Sequence, residues 1–296
     1  MTPEHRWPSD YVLMDEDRMR VRRDYVEVFE QLEWTTVDSI MTTDRVAHVR
    51  QKPKHDREIV QLNLPTEVPP LGALPKPSIP AETATPTAWL KRHRCAATED
   101  STSEGIGEAD RVGWLQKAGV PTLNVIAAGA QITGGVEESF FMSEHLHAEP
   151  AHEYWQYGMG KPSTNSDHMA KRRRVLAAIA RTASRLHRAN LFHRDLYWSH
   201  FYIDESKDGV VTARLIDLQR ILKNPRRRWR WWIKDMGQFR FSTPKGLVSA
   251  SEIAHWYKCY FGGDHGPRPL TAAELLWCIP IRARAAIQRW RFDRKR

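Results

Sequence analysis

Residues 190–203 read NLFHRDLYWSHFYI, and residues 213–220 read ARLIDLQR. The apolar runs in these segments predict two short strands, at 201–203 and 213–216. The polar segment between them ends in Asp208-Gly209, a dipeptide typical of a β-hairpin turn. His193-Arg194-Asp195 stands just before the first strand, and Asp217 follows the second. Such a hairpin brings two carboxylates face to face although they are 22 residues apart in the chain.

Two facing carboxylates suit phosphoryl transfer. The reaction requires one carboxylate to orient the acceptor hydroxyl and accept its proton, and another to hold the metal ion that bridges the nucleotide phosphates. In the protein-kinase pattern, His-Arg-Asp is followed by Leu, three variable residues and Asn. Here the residue five after Asp195 is His200. An imidazole can replace the amide on the metal side, although Mg²⁺ prefers oxygen ligands.

The segment that begins at His193 resembles the catalytic loop of the lipopolysaccharide core kinases of the Kdo/WaaP type, which are sugar kinases with a protein-kinase-like fold. That family also carries His where protein kinases carry Asn. The resemblance extends to residues 215–220 and to residues 233–243, which read IKDMGQFRFST. It covers roughly residues 88–296. The combination is specific for the family and weak on which sugar is phosphorylated.

Together with the strand and helix patterns, this resemblance predicts an α+β, two-lobed protein-kinase-like fold. We expect an N-lobe with a five-stranded antiparallel sheet and one helix, and a mainly helical C-lobe, with the nucleotide between them. The predicted divisions are an N-terminal extension at 1–40 with a short amphipathic helix, the N-lobe at 41–144, and the C-lobe at 145–296 with a basic C-terminal helix. A Pro-rich insertion at 65–86 holds seven of the 18 prolines.

Composition sets outer limits on the function. The chain is 41% hydrophobic and 27% charged, as is ordinary for a soluble globular protein. A formal net charge of +9 favours anionic partners such as nucleotides, nucleic acid or an anionic membrane surface. Three widely separated cysteines argue against a disulfide framework and favour a reducing compartment. Because the chain shows no signal-peptide pattern and no apolar run of roughly 18 residues, we expect a cytoplasmic protein.

Lys91 is the candidate for the lysine that grips the nucleotide phosphates. It lies in a predicted strand at 88–94, and a predicted helix at 103–117 carries Glu108, 17 residues later. A strand lysine held by a helix glutamate is the kinase arrangement for the α- and β-phosphates. Strand register decides which side chain points inward. The alternatives that remain open are Arg92 and Arg94 for the base and Glu104 for the acid.

Two other elements of a nucleotide site are weakly marked. The connector at 51–57, which would cover the phosphates, is basic and contains no glycine, so the glycine-rich flap of protein kinases is missing as sequence. The segment at 142–146 is the predicted hinge between the lobes. We expect backbone groups there, at Glu144 and Leu146, to meet the adenine edge.

A long helix predicted at 167–189, with Ser166 or Asp167 as its cap, leads through Asn190 into the catalytic loop. Further on, residues 225–235 read PRRRWRWWIKD and interleave basic with aromatic side chains. Single-stranded nucleic acid is held by such surfaces. We favour a structural interpretation, in which the tryptophans pack the lobe and line the acceptor side, and do not expect nucleic acid to be the partner.

The resemblance then implies a role for each residue. Asp195 orients and deprotonates the acceptor hydroxyl, and Asp217, assisted by His200, binds Mg²⁺. Arg194 and Lys234 counter negative charge on the acceptor or nucleotide. Asp235 matches the family's buried Asp that hydrogen-bonds the catalytic loop, so we expect Asp235 and His193 to be structural. The implied cofactors are ATP and Mg²⁺.

The resemblance implies ATP-dependent phosphorylation of a sugar hydroxyl, on Kdo or heptose, in the lipopolysaccharide inner core. The implied location is the cytoplasmic face of the inner membrane, with the basic tail in peripheral contact with anionic lipid. Three alternatives remain open. They are a kinase of the same fold with another small-molecule or protein Ser/Thr acceptor, a catalytically inactive nucleotide-binding scaffold, and a nucleic-acid-binding protein that uses the Arg/Trp segment.

Overall fold

A computed structural model describes residues 10–54, 57–64, 87–97, 103–162 and 164–294. The chain separates into two compact units. Unit 1 comprises Met1–Trp114 and Leu123–Leu146, and unit 2 comprises Leu115–Thr122 and His147–Arg296. The Pro-rich insertion predicted at 65–86 lies outside the described residues, as does part of the connector at 51–57.

Unit 1 contains an antiparallel sheet of seven strands in the order β1-β2-β6-β7-β5-β4-β3. The strands are β1 Tyr11–Met14, β2 Met19–Arg22, β3 Val46–Lys54, β4 Arg57–Asn63, β5 Thr87–Ala96, β6 Val125–Thr133 and β7 Val136–Glu144. The five strands predicted from the sequence are all present, as β3 to β7. The other two come from the predicted N-terminal extension, because β2 pairs with β6, with Met19 opposite Gly129.

The β1-β2 hairpin carries no glycine or proline at its turn. Asp15, Glu16 and Asp17 all adopt positive φ there, between 52° and 67°. Arg18 closes the turn by donating its backbone N–H to the Asp15 carbonyl at 2.9 Å and its guanidinium to the Asp15 carboxylate at 2.6 Å. A left-handed turn made of three acidic residues lacks the usual sequence markers, so the hairpin was not predicted.

Three helices accompany the sheet: α1 Val26–Gln31, α2 Val37–Thr42 and α3 Glu104–Lys117. The first two cover one face of the sheet, where Phe29, Trp34 and Ile40 join strand residues such as Leu90 and Phe140 in one buried core. The predicted amphipathic helix therefore exists as α1. The extension predicted at 1–40 supplies two strands, α1 and most of α2 to unit 1.

Helix α3 lies directly against β7 at one residue. The backbone N–H of Gly105 donates to the Ser139 hydroxyl at 3.3 Å. A Cβ atom at Gly105 would overlap the backbone of Phe140. Glycine at this position is therefore what allows the first turn of α3 to reach the sheet.

Unit 2 is mainly helical. Its helices are α4 Ala151–Glu153, which continues as a π-helical turn Tyr154–Met159, then α5 Ser166–Arg188, α6 Arg228–Ser242, α7 Ala250–Gly262 and α8 Ala272–Asp293. Its strands are β8 Glu149–Pro150, β9 Leu191–Phe192, β10 Phe201–Glu205, β11 Val211–Leu215 and β12 Leu222–Lys223. Strands β10 and β11 form the predicted hairpin, with Gly209 at φ +75° in its turn.

Helix α5 leads into the loop before β10. It begins one residue earlier than predicted, and its cap is Asn165, whose side chain accepts the N–H groups of Asp167 and His168, both at 2.9 Å. Asn190 takes the predicted left-handed conformation, with φ +55°. Twelve residues of α5 are buried in unit 2, so the helix fixes where the following loop starts.

Helices α6 and α8 form a closely packed pair. A Cβ atom at Gly237 of α6 would meet the Arg284 side chain of α8 at 2.5 Å. Helix α8 runs through Pro280 without interruption, although proline cannot donate to the carbonyl of Leu276 one turn before it. Among the described residues, no helix has the length and apolar character needed to cross a lipid bilayer.

Arg172 of α5 is a buried cation that ties three segments of unit 2 together. Its guanidinium donates to Glu252 of α7 at 2.5 Å, to the Gly160 carbonyl at 2.8 Å and to the Leu247 carbonyl. It also lies over the Trp155 ring at 4.4 Å. Burial opposes ionisation of Glu252, but hydrogen bonds from Arg172 and from Ser249 outweigh it and lower the pKa of this carboxyl.

We predict that Arg172→Met lowers the free energy of unfolding of unit 2 by about 3–5 kcal/mol, because it leaves the Glu252 carboxylate buried without its counter-ion. Urea denaturation followed by circular dichroism measures the change. The matched control is Arg173→Met, at the exposed neighbour of Arg172, which should stay within about 0.5 kcal/mol of the parent. Equal losses in the two variants would contradict the prediction.

Candidate active site

The carboxylate of Asp235 holds the loop that carries His193-Arg194-Asp195. This α6 residue is fully buried. Its Oδ2 accepts the backbone N–H of His193 at 2.7 Å, and its Oδ1 accepts the N–H of Arg194 at 2.7 Å. His187 of α5 lies 3.3 Å from Oδ2 through Nε2. A buried carboxylate that accepts several N–H groups stays paired, so Asp235 fixes the loop backbone to α6.

Arg194 adopts φ +69°, a left-handed conformation that is rare for a residue with a long side chain. The hydrogen bonds from the His193 and Arg194 N–H groups to Asp235 hold the backbone that leads into this turn. As a result the Asp195 side chain follows immediately after a fixed backbone bend. The structure thus places His193 and Asp235 as parts of the loop's support.

His193 joins this loop to the segment that carries Asp217. Its side chain is fully buried, and Nε2 donates to the Ile216 carbonyl at 3.0 Å. Burial lowers the pKa of the His193 imidazole below its ordinary value, although Asp235 opposes the shift. The ring is therefore neutral near pH 7. The His193 ring thus joins the loop that carries Asp195 to Ile216, the residue before Asp217.

The Asp195 carboxylate contacts three side chains. Its Oδ2 accepts Arg220 at 2.7 Å, and its Oδ1 accepts the Gln238 amide at 3.1 Å and lies 3.8 Å from the Lys234 ammonium. Burial lowers the pKa of Lys234, while Asp195 opposes the shift and Arg220 adds to it. Lys234 also donates to the Arg194 carbonyl. The carboxylate is thus oriented by two donors and surrounded by cations.

His200 stands between the two acidic segments. Its Nδ1 donates to the Asp195 carbonyl at 2.8 Å, and a ring that carries one proton therefore carries it on Nδ1 and keeps a lone pair on Nε2. Nε2 lies 3.7 Å from Oδ2 of Asp217. In addition, the Ile216 N–H donates to the His200 carbonyl at 3.0 Å. Asp217 itself adopts φ +59°, and its side chain is 45% exposed.

Asp217 and His200 present two lone-pair donors toward each other, without a hydrogen bond between them. A cation between them would satisfy both. Magnesium commonly takes one or two protein ligands and completes its shell with water and substrate phosphates. Among the described residues, no group of three or more His, Cys, Asp and Glu side chains is placed to hold a metal ion. Asp217 and His200 thus match the number of protein ligands that such a magnesium site uses.

In unit 1, Lys91 and Glu108 form an ion pair at 2.5 Å. Glu108 is fully buried, and its Oε2 has no hydrogen-bond partner among the residues that the structure describes. The alternatives have other positions. Arg92 donates to Glu58 and to the Ile40 and Thr43 carbonyls, Arg94 pairs with Glu138, and Glu104 is exposed. The strand alternation thus directs Lys91 to α3 and Arg92 to the opposite face.

The two predicted hinge residues differ in their surroundings. The Glu144 carboxylate accepts the Asn124 amide at 2.7 Å and the Tyr25 hydroxyl at 3.2 Å, and it also pairs with Arg22. Its side chain is therefore committed within unit 1, and its backbone N–H donates to the Asn124 carbonyl at 3.0 Å. Leu146 is half-buried and ends unit 1.

The interleaved Arg/Trp segment is largely used inside unit 2. Trp231 receives three cations over its ring, Arg194 at 5.1 Å, Arg230 at 5.2 Å and Lys234 at 5.9 Å. Trp232 donates its indole N–H to the Tyr260 hydroxyl at 2.7 Å. Trp229, in contrast, is 57% exposed. These contacts favour the structural interpretation of the segment.

Two residues at Asp195 were quoted in the sequence analysis without a role, Gln238 and Arg220. Gln238 lies three residues after Asp235 and four after Lys234, so helical spacing places all three on the face of α6 toward the loop. That spacing is a signal which the sequence already contains. Arg220 lies three residues after Asp217, on a short 3₁₀ turn whose position the sequence does not predict.

A model of the lipopolysaccharide kinase (Kdo/WaaP) family matches residues 93–260, more than half of the chain. The chain belongs to this family. The matched segment contains Glu108, Asp195, His200, Asp217 and Asp235, whereas Lys91 lies just before it. Membership in the Kdo/WaaP family confirms the resemblance described above.

Among curated relatives, the lipopolysaccharide core heptose(I) kinase WaaP of Pseudomonas aeruginosa is 29% identical over 155 residues. The match covers 50% of this chain and 55% of the relative, so it spans about half the length of that Kdo/WaaP family member. Among solved structures, WaaP in complex with acyl carrier protein superposes with a TM-score of 0.61 at 18% identity, over 93% of this chain and 98% of that one. This similarity confirms the kinase-like fold.

We predict that Asp235→Asn loosens the catalytic loop, because an amide NH₂ would face a backbone N–H where a carboxylate oxygen now accepts one. Amide hydrogen exchange of peptides covering residues 191–200 should become at least about tenfold faster, equivalent to a loss of about 1.4 kcal/mol in local opening free energy. The control is Asp264→Asn, at an exposed acid paired with Arg185. Unchanged exchange in Asp235→Asn would show that the loop is fixed by other contacts.

His93 makes the stability of unit 1 depend on pH. Burial, with Lys91 and Arg57, lowers the pKa of His93 from 6.5 to about 4. Since the unfolded chain binds a proton near pH 6.5 and the folded chain only near pH 4, this histidine stabilises the fold above pH 6.5 and loses that contribution between pH 6.5 and about 4.

The free energy of unfolding of unit 1 should fall by as much as about 3 kcal/mol across that window because of His93 alone. In His93→Gln this part of the slope should disappear, whereas His265→Gln, at an exposed histidine of unit 2, should keep it. Denaturation curves at a series of pH values measure both. The same slope in His93→Gln and the parent would contradict the prediction.

Proposed function

We propose that this protein is an ATP-dependent kinase that phosphorylates a sugar hydroxyl of the lipopolysaccharide inner core, on heptose or Kdo. The observation that carries the proposal is the position of His200, which bonds the Asp195 segment and faces the Asp217 carboxylate. This arrangement supports one site in which Asp195 acts on the acceptor and Asp217 on the nucleotide. The curated relative that acts on heptose favours heptose over Kdo as the first acceptor to test.

Asp195 is the group for the acceptor hydroxyl. Gln238 orients its Oδ1, and Arg220 occupies its Oδ2 until an acceptor displaces it. Arg220 is 54% exposed, so its ion pair with Asp195 contributes little and yields readily to a ligand. The carboxylate then accepts the hydroxyl proton as the oxygen attacks the γ-phosphorus, and the bond from phosphorus to the β–γ bridging oxygen breaks.

The other residues would contact the phosphate groups. Asp217, with His200 beside it, would hold Mg²⁺, which would supply positive charge to the nucleotide phosphates. Lys91, fixed by the buried Glu108, would bind the α- and β-phosphates. Arg194 and Lys234 lie beside Asp195 and would counter the negative charge of the acceptor or of the transferred group. Their contribution is positioning and electrostatic stabilisation.

A lipopolysaccharide core acceptor also fixes the location, because such a glycolipid is anchored in a bilayer. We propose that the protein works at the cytoplasmic face of the inner membrane and contacts it peripherally. The net charge of +9 supports contact with anionic lipid. The proposal requires ATP and a glycolipid or sugar acceptor as partners.

The experiment is phosphate transfer from labelled ATP with Mg²⁺ to a purified lipopolysaccharide core acceptor. We expect transfer in the parent and a loss of at least about 100-fold in kcat for Asp195→Asn and for Asp217→Asn. The control is Asp208→Asn, at an exposed acid in the β10–β11 turn, which should transfer at the parent's rate. Acceptors with heptose alone and with Kdo alone separate the two sugars.

Other results would contradict the proposal in different ways. Transfer only to a small molecule or to a protein Ser or Thr would replace the acceptor class. Binding of ATP without transfer to any acceptor would favour a nucleotide-binding scaffold. Absence of ATP binding, together with salt-dependent affinity for nucleic acid that survives Asp195→Asn, would favour the exposed Arg/Trp surface.

A further inference from the structure

Helix α8 carries apolar residues on the face that it turns to solvent. Its inner face is formed by Ile281 and Ala285, which are buried. On the opposite side, small and large apolar residues recur every three or four positions along the whole helix. This outer stripe consists of Ala272, Leu276, Ile279, Ala283, Ile287 and Trp290.

The large members of the outer stripe are strongly exposed. Leu276 is 65% exposed, Ile279 63%, Ile287 48% and Trp290 55%, and Leu275 beside them is 55% exposed. Scattered single apolar residues are normal on a protein surface. A continuous stripe along six turns of helix is not, and it indicates a surface that is covered when the protein acts.

Arginines flank the stripe on both sides. At 100° per residue, Arg282 and Arg289 follow one edge, and Arg284 and Arg291 follow the other. An apolar stripe between two rows of cations, with a tryptophan near one end, is the pattern of a helix that lies in the interface of an anionic membrane. The apolar side chains enter the acyl region, and the guanidinium groups reach lipid phosphates.

A cationic cavity of about 450 Å³ opens along one edge of the stripe. Four of its lining residues are basic, Arg240, Lys245, Arg282 and Arg289, and no acidic residue lines it. Among the described residues, none of these four forms an ion pair with a carboxylate. Ala286 lines the cavity and also lies next to the stripe. A lipid whose headgroup phosphate lies in the cavity would therefore have its acyl chains toward the stripe.

We propose that the outer stripe of α8 docks unit 2 on an anionic phospholipid bilayer, and that the adjacent cavity binds a lipid headgroup phosphate. The bilayer is favoured over a protein partner by charge complementarity. Both edges of the stripe and the cavity are positive. Helix α8 is 22 residues long, and a bilayer of anionic lipid presents phosphate groups along the whole of that length.

The inner face of α8 reaches the candidate catalytic residue. Gln288 donates to the Tyr197 hydroxyl at 3.1 Å, Gln238 donates to the same hydroxyl at 3.1 Å, and Gln238 also donates to Asp195. These hydrogen bonds connect the inner face of α8 to the Asp195 carboxylate. The docking face lies on the other side of α8, and a helix with its side chains is about 10–12 Å thick. If the proposed function holds, docking brings Asp195 close to a sugar carried by a lipid of the same bilayer.

The test is sedimentation of the full chain with vesicles of phosphatidylglycerol and phosphatidylcholine, and with vesicles of phosphatidylcholine alone. The parent should bind the anionic vesicles. Leu276→Ser/Ile279→Ser should lower that affinity at least about tenfold. The matched control is Ile132→Ser/Val210→Ser, at two aliphatic residues outside α8 that are 65% and 63% exposed, which should bind like the parent.

The cavity is tested by charge. Lys245→Gln/Arg282→Gln should weaken binding to anionic vesicles several-fold more than Arg173→Gln/Arg174→Gln, which removes the same charge from the exposed face of α5. Equal losses in the two variants would show that net charge alone matters and would overturn the headgroup site. Inorganic phosphate that binds the parent as tightly as vesicles do, and is lost in Lys245→Gln/Arg282→Gln, would assign the cavity to a free anion instead.

Two results would overturn the docking surface. One is vesicle binding by Leu276→Ser/Ile279→Ser that equals the parent's. The other is a parent that does not bind vesicles but forms a dimer, or binds acyl carrier protein, through the stripe. If the stripe variant does not fold, hydrogen exchange of the parent decides, because peptides covering 272–290 must become protected when vesicles are added.

Vesicle binding is measured without ATP or acceptor. A chain that binds vesicles but transfers no phosphate would leave the docking surface standing and overturn the proposed function. A chain that transfers phosphate to a soluble core sugar but does not bind vesicles would support the proposed function and overturn the docking surface.

Discussion

The hydrogen bonds from the backbone of His193 and Arg194 to the buried Asp235 carboxylate are the constraint on which unit 2 depends. They join α6 to a loop whose bend requires a left-handed Arg194. The same carboxylate meets His187 of α5, and His187 meets the Tyr260 hydroxyl of α7 at 2.7 Å. One acidic group thus connects three helices and the loop. A carboxylate can accept bonds from several directions, which explains why no neutral side chain would serve equally well.

The parts of the site that the sequence predicts are those governed by local rules. The Asp-Gly turn, the two short strands and the left-handed Asn190 follow from turn chemistry and apolar spacing. Lys91 and Arg92 were separable only by strand register, and the structure shows them on opposite faces of β5, one at Glu108 and the other at Glu58. Their assignment needed the partner strands as well as the motif.

Most of what the sequence did not predict depends on contacts far along the chain. Strands β1 and β2 join the sheet through β6, more than 100 residues later, and their turn uses acidic residues in place of glycine. The helix cap fell on Asn165 because its side chain, rather than that of Ser166, faces the free N–H groups. Arg220 reaches Asp195 only because a 3₁₀ turn follows Asp217. For the two strands and for Arg220, the deciding partner is absent from the local pattern.

The close contact at Gly105 has a consequence for regulation. In a two-state kinase, swinging the helix that bears the glutamate breaks the lysine pair and switches the enzyme off. Here the first turn of α3 rests on the backbone of β7 without a side chain between them, and it is hydrogen-bonded to Ser139. Glu108 is buried one turn further along. If the proposed function holds, the Lys91–Glu108 pair is therefore present without any movement of α3.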